Sequence, residues 1–279
     1  MSNSIPDTAK TKRTILTSTA VLIAVIAFCG GFLTGNLTKP DTPAPPQRTV
    51  FNPAAHQQTG VNEHIAQVKQ EIARNPQELR NWVHLGNLYY EDGQPTQAIS
   101  AYEQALTLQP GNADVMTDLA TMYRDAGQPE RSIKILDEVI ASNLDHQNAH
   151  FNKGIILMIN LARPQEAVAA WKHLLQNIPE ASMGNGLGLK EALPMLITEG
   201  GTILEGKNNL PTALQAFELA LQEDPAFEPA LNHKAFVLER LGRQSEALPI
   251  WVRLLEANPA AMSPDGRSVN AIVHGNSGS

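Results

Sequence analysis

From Glu63 onward, apolar residues recur at three- and four-residue intervals, the spacing of one helix face, and the pattern breaks at glycines and prolines placed at regular distances. The clearest stretch is Leu79 to Pro110. It reads Trp82-x2-Leu85-Gly86-x2-Tyr89, then Ala98-x3-Tyr102-x2-Ala105, and closes at Pro110. Two helices follow from this, one burying Trp82, Leu85 and Tyr89 and the next burying Ala98, Tyr102 and Ala105. Gly86 is expected to let a neighbouring backbone approach, Gly93 to take the left-handed conformation that ends the first helix, and Pro110 to stop the second. The closing residues then set a register. Pro76 to Pro110 is 34 residues, Pro110 to Leu144 is 34, Leu144 to Pro179 is 35, Pro179 to Pro225 is 46 and Pro225 to Pro259 is 34. Five helical hairpins are predicted over residues 63–262, with an insertion of about 12 residues near 182–191.

On these residues the chain resembles the tetratricopeptide repeat (TPR) family, which implies an all-α solenoid of stacked helical hairpins that binds other proteins. The second repeat keeps Leu119, Ala120, Tyr123 and Gly127, with Ser132 where the family favours alanine and Leu144 in place of the closing proline. The third keeps Gly154, Leu157, Ala167, Trp171 and Pro179, with one extra residue near Arg163-Pro164. Gly201, Leu204, Ala213, Phe217 and Ala220 mark the fourth, and Leu231, Ala235, Leu238, Gly242, Ala247 and Trp251 the fifth, where Pro249 either removes a helix hydrogen bond or delays the helix start. Ahead of the repeats, Ile65, Val68 and Ile72 share one face of a capping helix that ends at Asn75-Pro76. In the tail at 263–279, Val269, Ile272 and Val273 are available to cover the last apolar face.

The N-terminal stretch has a different character. Residues 14–33 carry no charge and are long enough to span a bilayer, and Lys10, Lys12 and Arg13 in the 1–13 segment favour a cytoplasmic N-terminus with the repeats on the other side. For a bacterium this means a single-pass inner-membrane protein with a periplasmic domain. A cleaved signal peptide and lipidation at Cys29 are the rival readings. Ala20, Ala24, Ala27 and Gly31 recur along one face of the segment, a pattern that permits close packing of membrane helices. Residues 34–62, with Pro40, Pro43, Pro45 and Pro46, read as an extended linker.

Composition narrows the functional classes. With 28 acidic and 21 basic residues, and three of the basic ones ahead of the membrane segment, the chain is unsuited to non-specific nucleic-acid binding. The lone Cys29 excludes an intrachain disulfide and a cysteine-based metal site. No catalytic triad, phosphate loop or cofactor motif is present. Gly184, Gly186 and Gly188 lack the preceding strand and following Lys-Ser/Thr of a phosphate loop, so they read as a loop that reaches toward the binding face. His146 and His150 have metal-ligand spacing without an evident third ligand.

A groove remains. In the TPR family it is lined by first-helix positions, and the register carries these onto Val83, His84, Asn87 and Tyr90, then Asp118, Thr121 and Arg124, then Phe151, Asn152, Ile155 and Met158, then Glu199, and finally His233 and Phe236. The helix from Phe151 to Leu161 is apolar all round, which marks it as either an exposed partner site or a surface covered by the loop at 182–191 or the fourth repeat. Lys and Arg are missing from the positions that would clamp a peptide's terminal carboxylate, so an amphipathic helix fits this groove better.

Two second helices share a pattern: Ala167-x3-Trp171-x2-Leu174-Leu175-x3-Pro179 and Ala247-x3-Trp251-x2-Leu254-Leu255-x3-Pro259. With the anchor, this resembles bacterial TPR proteins of cytochrome c biogenesis. That resemblance implies a periplasmic domain that holds the C-terminal part of an apocytochrome c and presents its haem-attachment motif to a haem ligation complex. The competing expectation is an envelope scaffold for secretion, division or outer-membrane assembly, or a self-associating homo-oligomer.

Overall fold

A computed structural model describes residues 53–183 and 186–275. The expected anchor at 14–33, linker residues 34–52 and Gly184 of the inserted loop lie outside the described residues. Within the described part, no helix is long and apolar enough to cross a membrane.

The chain enters through α1 (Pro53–Arg74), which starts ahead of the expected position 63 because Pro53 is a suitable first-turn residue. Five hairpins follow. They are α2 (Leu79–Glu91) with α3 (Pro95–Leu108), α4 (Ala113–Asp125) with α5 (Pro129–Ser142), and α6 (Gln147–Ile155) with α7 (Pro164–Asn177). Next come α8 (Leu189–Gly206) with α9 (Leu210–Glu223), and α10 (Glu228–Arg240) with α11 (Gln244–Ala257), before the short α12 (Val269–Gly275). The described residues form a TPR-like solenoid of twelve α-helices, and their only β-type contacts are two isolated bridges. The helix starts are chemically marked: prolines open α3, α5 and α7, and the Asn112 side chain accepts from the Val115 N–H at 3.1 Å ahead of α4.

Each hairpin turns through a residue with positive φ. Gly93, Gly127 and Gly242 do so at 67–75°, whereas Ala162 and Asn208 occupy the equivalent places at 54° and 59°. Inside the hairpins, small residues face large rings. A Cβ on Gly86 would lie 2.5 Å from Tyr102, one on Gly201 would lie 2.6 Å from Phe217, and one on Gly154 would enter the Trp171 indole. The close approach at Gly86 is therefore by an aromatic ring from the second helix, and the expected backbone approach is corrected accordingly. Trp171 and Trp251 are fully buried. At about 25 cal/mol per Å² over about 150–250 Å², each indole contributes about 4–6 kcal/mol of apolar burial.

Two irregularities have visible causes. Gly154 and Ala167 are 13 residues apart, against 12 for Gly86 and Ala98. The extra residue is absorbed in the helix rather than in the turn: α6 passes into a π-helical turn at Ile156–Asn160, where the Leu161 N–H reaches the Ile156 carbonyl at 3.1 Å. Pro249 lies inside α11, which begins at Gln244, so the helix tolerates the lost bond rather than starting late.

The expected insertion is partly helix. Leu189 to Glu191 already belong to α8, which at 18 residues is longer than the 13-residue α2, α4 and α10. Before it, Ser182 bridges Gly188, and the Leu189 N–H donates to the Ala181 carbonyl at 2.8 Å. After α11 the same construction recurs. Met262 bridges Ser268, and the Val269 N–H donates to the Ala261 carbonyl at 3.0 Å. The two turns lie 80 residues apart in sequence, with Gly186 at φ 80° and Gly266 at φ 82°.

Candidate binding groove

First helices stack against one another along the solenoid, α4 on α6 and α8 on both the π-turn and α10. Their equivalent positions define a ladder. His84, Asp118, Asn152, Glu199 and His233 occupy one register position, separated by 34, 34, 47 and 34 residues. Where hydrogen bonds are formed, each reaches back to the preceding repeat. Asn152 donates to Thr121 Oγ1 at 3.4 Å, and His233 Nδ1 lies 2.8 Å from Glu205 Oε2.

The fourteen expected groove residues separate into two groups. His84 and Asn87 are exposed, and Val83, Tyr90, Asp118, Arg124, Phe151, His233 and Phe236 are half-buried. Thr121, Asn152, Ile155, Met158 and Glu199 are buried, so they form the floor or the inter-repeat core rather than an open lining. The apolar helix is consequently covered. Ile155, Ile156, Leu157 and Met158 are each at most 3% exposed, and Met158 packs against Gly200 of α8. The cover is the fourth repeat's own first helix, extended at its start by Leu189, Ala192 and Leu193, all buried. An exposed apolar partner site at Ile155 and Met158 is thus corrected: those residues hold the third and fourth repeats together.

At the N-terminal end, the Tyr102 hydroxyl donates to Asn87 Oδ1 at 2.7 Å. Burial raises the Tyr102 pKa first, and the nearby Asp118 raises it further. Asp118 itself is pushed up to about 6, mainly by burial and then by Asp114. In the centre, burial alone lifts the Glu199 carboxyl to about 7, and neither of its oxygens has a hydrogen-bond partner among the described residues. The C-terminal end is held through Glu205. Glu205 meets His233 and also Arg240, whose Nη1 lies 3.5 Å from Glu205 Oε1. Arg240 also donates to Asn208 at 2.8 Å and covers the Phe236 ring at 5.7 Å. Glu205 was absent from the expected groove residues, although the register shows it, since it stands where Tyr90, Arg124 and Met158 stand in the earlier repeats.

The metal-spaced histidines face different partners. His146 lies 3.2 Å from Asp114 and accepts from the Ala149 N–H, while His150 lies against the Leu144 carbonyl at 3.0 Å and the His173 ring. No group of three potential metal ligands occurs among the described residues.

This fold defines a TPR protein-binding module. The sequence profile of the cytochrome c-type biogenesis protein H TPR domain matches residues 42–184, and the chain belongs to that family. Among curated relatives, a human protein O-mannosyl-transferase is 28% identical over 68% of this chain and 20% of its own length. A TPR repeat-containing protein of Methanocaldococcus jannaschii is 24% identical over 61% of this chain and 30% of its own. The chain therefore spans well under half the length of these relatives. Similar solved structures include MamA from Desulfovibrio magneticus, with a TM-score of 0.43 and 15% identity over 64% of this chain and 93% of that one. YrrB, a TPR protein with an unusual peptide-binding site, has a TM-score of 0.43 and 16% identity over 69% of this chain and 92% of that one.

Proposed function

We propose that this protein is a membrane-anchored TPR module that holds the C-terminal segment of an apocytochrome c in its groove and presents the haem-attachment motif to a haem ligation complex. The observation that carries this reading is the family match over residues 42–184, which takes in the capping helix and the first three repeats. In this reading residues 14–33 anchor the chain in the bacterial inner membrane and residues 34–52 carry the repeats into the periplasm. The groove suits the task physically: half-buried apolar residues such as Val83, Phe151 and Phe236 alternate with polar ladder positions, as an amphipathic helix requires. Pull-down with the full chain tests it. Capture of apocytochrome C-terminal peptides is the expected result, and a deletion strain with normal c-type cytochromes would refute it in favour of an envelope scaffold.

A further inference from the structure

We propose that the centre of the groove receives a cationic side chain of the bound partner segment and that Glu199 is the group that pairs with it. This deepens the groove-binding reading above and rests on it. Glu199 is 8% exposed, yet both of its oxygens lack a partner among the described residues. A buried carboxyl without hydrogen bonds is a standing cost, because desolvation is not offset by any contact. Its own helix shows the contrast. Six residues on, Glu205 is buried to the same degree but is matched by His233 and Arg240.

The neighbouring elements hold no spare cation for Glu199. From α6, Lys153 pairs with Asp137. From α7, Lys172 pairs with Glu223 of α9, and from α10 Lys234 pairs with Glu218 while His233 and Arg240 engage Glu205. Burial is the one cause acting on Glu199, so no charged group of these helices faces it closely enough to matter.

Charge complementarity identifies the occupant. Two steps along the same ladder, Asp118 is a second shielded carboxylate without an ion pair among the described residues, and its charged neighbour is Asp114. The stretch from residue 60 to 275 carries 26 acidic against 16 basic residues. A groove with carboxyls lacking ion pairs at its second and fourth repeats attracts a basic segment and repels an acidic one. Next to Glu199, Gly200 packs against Met158 of the π-helical turn, so the carboxyl stands at the seam between the third and fourth repeats.

Pairing favours the ionised carboxylate, so binding must release a proton from Glu199. With a free pKa of about 7, roughly half a proton leaves per binding event at neutral pH. The test uses the full chain and synthetic amphipathic helices identical except for lysine, norleucine or glutamate at one central position, scanned along the helix. Isothermal titration in buffers of different ionisation enthalpy reads affinity and proton release together. The expected result is that, at one position, lysine binds about tenfold tighter than norleucine. Proton release accompanies lysine binding only, and both effects disappear in Glu199→Gln, whose melting curve reports its fold. Equal binding of lysine and norleucine, binding by no helix, or proton release unchanged in E199Q overturns the inference. If E199Q fails to fold, the lysine-norleucine comparison and the proton count in the natural protein still decide. Apocytochrome capture is scored separately: success there without a lysine preference removes this inference alone, and a lysine preference without capture removes the cytochrome reading alone.

Discussion

Removing the charge from Glu199 should make the solenoid more stable at alkaline pH and leave acidic stability nearly as it was. Folding raises this carboxyl from an ordinary 4.5 to about 7, with burial as the cause. Between those values the folded chain keeps a proton that the unfolded chain has released, so stability falls as pH rises through this window and levels off above it. At about 1.4 kcal/mol per pH unit, the full interval amounts to about 3 kcal/mol, which solvent screening lowers toward about 2 kcal/mol. E199Q keeps the shape of the protonated acid and has no proton to lose. Urea melts of both proteins from pH 5 to pH 8, followed by tryptophan fluorescence, give the comparison. The difference in stability should move in favour of E199Q by about 2–3 kcal/mol across that range. Parallel pH profiles for the two proteins would refute the reasoning, because they would mean that Glu199 is solvated or paired in the folded chain.

Other perturbations read out the packing. Ile155→Asp should unfold the third and fourth repeats, at a cost of about 4 kcal/mol or more, seen as lost helicity by circular dichroism; a folded variant with altered binding alone would mean that the helix is open to solvent. Gly154→Ala should cost about 2–3 kcal/mol in a thermal or urea melt, since the new methyl enters the Trp171 indole. Ala162→Gly should do the opposite and add about 1 kcal/mol, by relieving a left-handed alanine that the equivalent Gly93, Gly127 and Gly242 avoid. Arg240→Ala should remove the guanidinium beside Glu205 and lower the melting temperature by a few degrees, about 1–2 kcal/mol, with a smaller loss at high salt.

The 34-residue spacing made much of the solenoid legible, because a hairpin must turn, pack a ring against a small residue and stop at the same places each time. Gly93, Gly127 and Gly242 adopt the left-handed turns that glycine permits, and Trp171 and Trp251 are buried where the pattern put them. What escaped was whatever depends on the neighbouring element. An extra residue near Arg163 announces itself by count, but only the packing of α6 decides that a π-turn absorbs it. Likewise the apolar run at Ile155 to Met158 reads as exposed or covered with equal ease until α8 is seen to begin at Leu189 and lie over it. For the groove, the register located the ladder, whereas the pairing of Glu205 and the isolation of Glu199 arise from partners many residues away. Glu205 and the 80-residue echo of the bridged turn were both within reach of spacing alone.

That echo makes the chain a candidate for cutting and rejoining. Ala181 and Ala261 each accept from the first residue of the helix that follows, Leu189 and Val269, and each follows a tryptophan helix of the same sequence pattern. Excising residues 182–261 would join one seam to its duplicate, leaving Trp171 above a Met262 turn whose hydrogen-bond geometry it already accommodates at Ser182. The shortened chain would lose the fourth and fifth repeats as a single cassette and keep α12 as its lid, so the length of the solenoid can change by whole blocks without a new junction having to be invented.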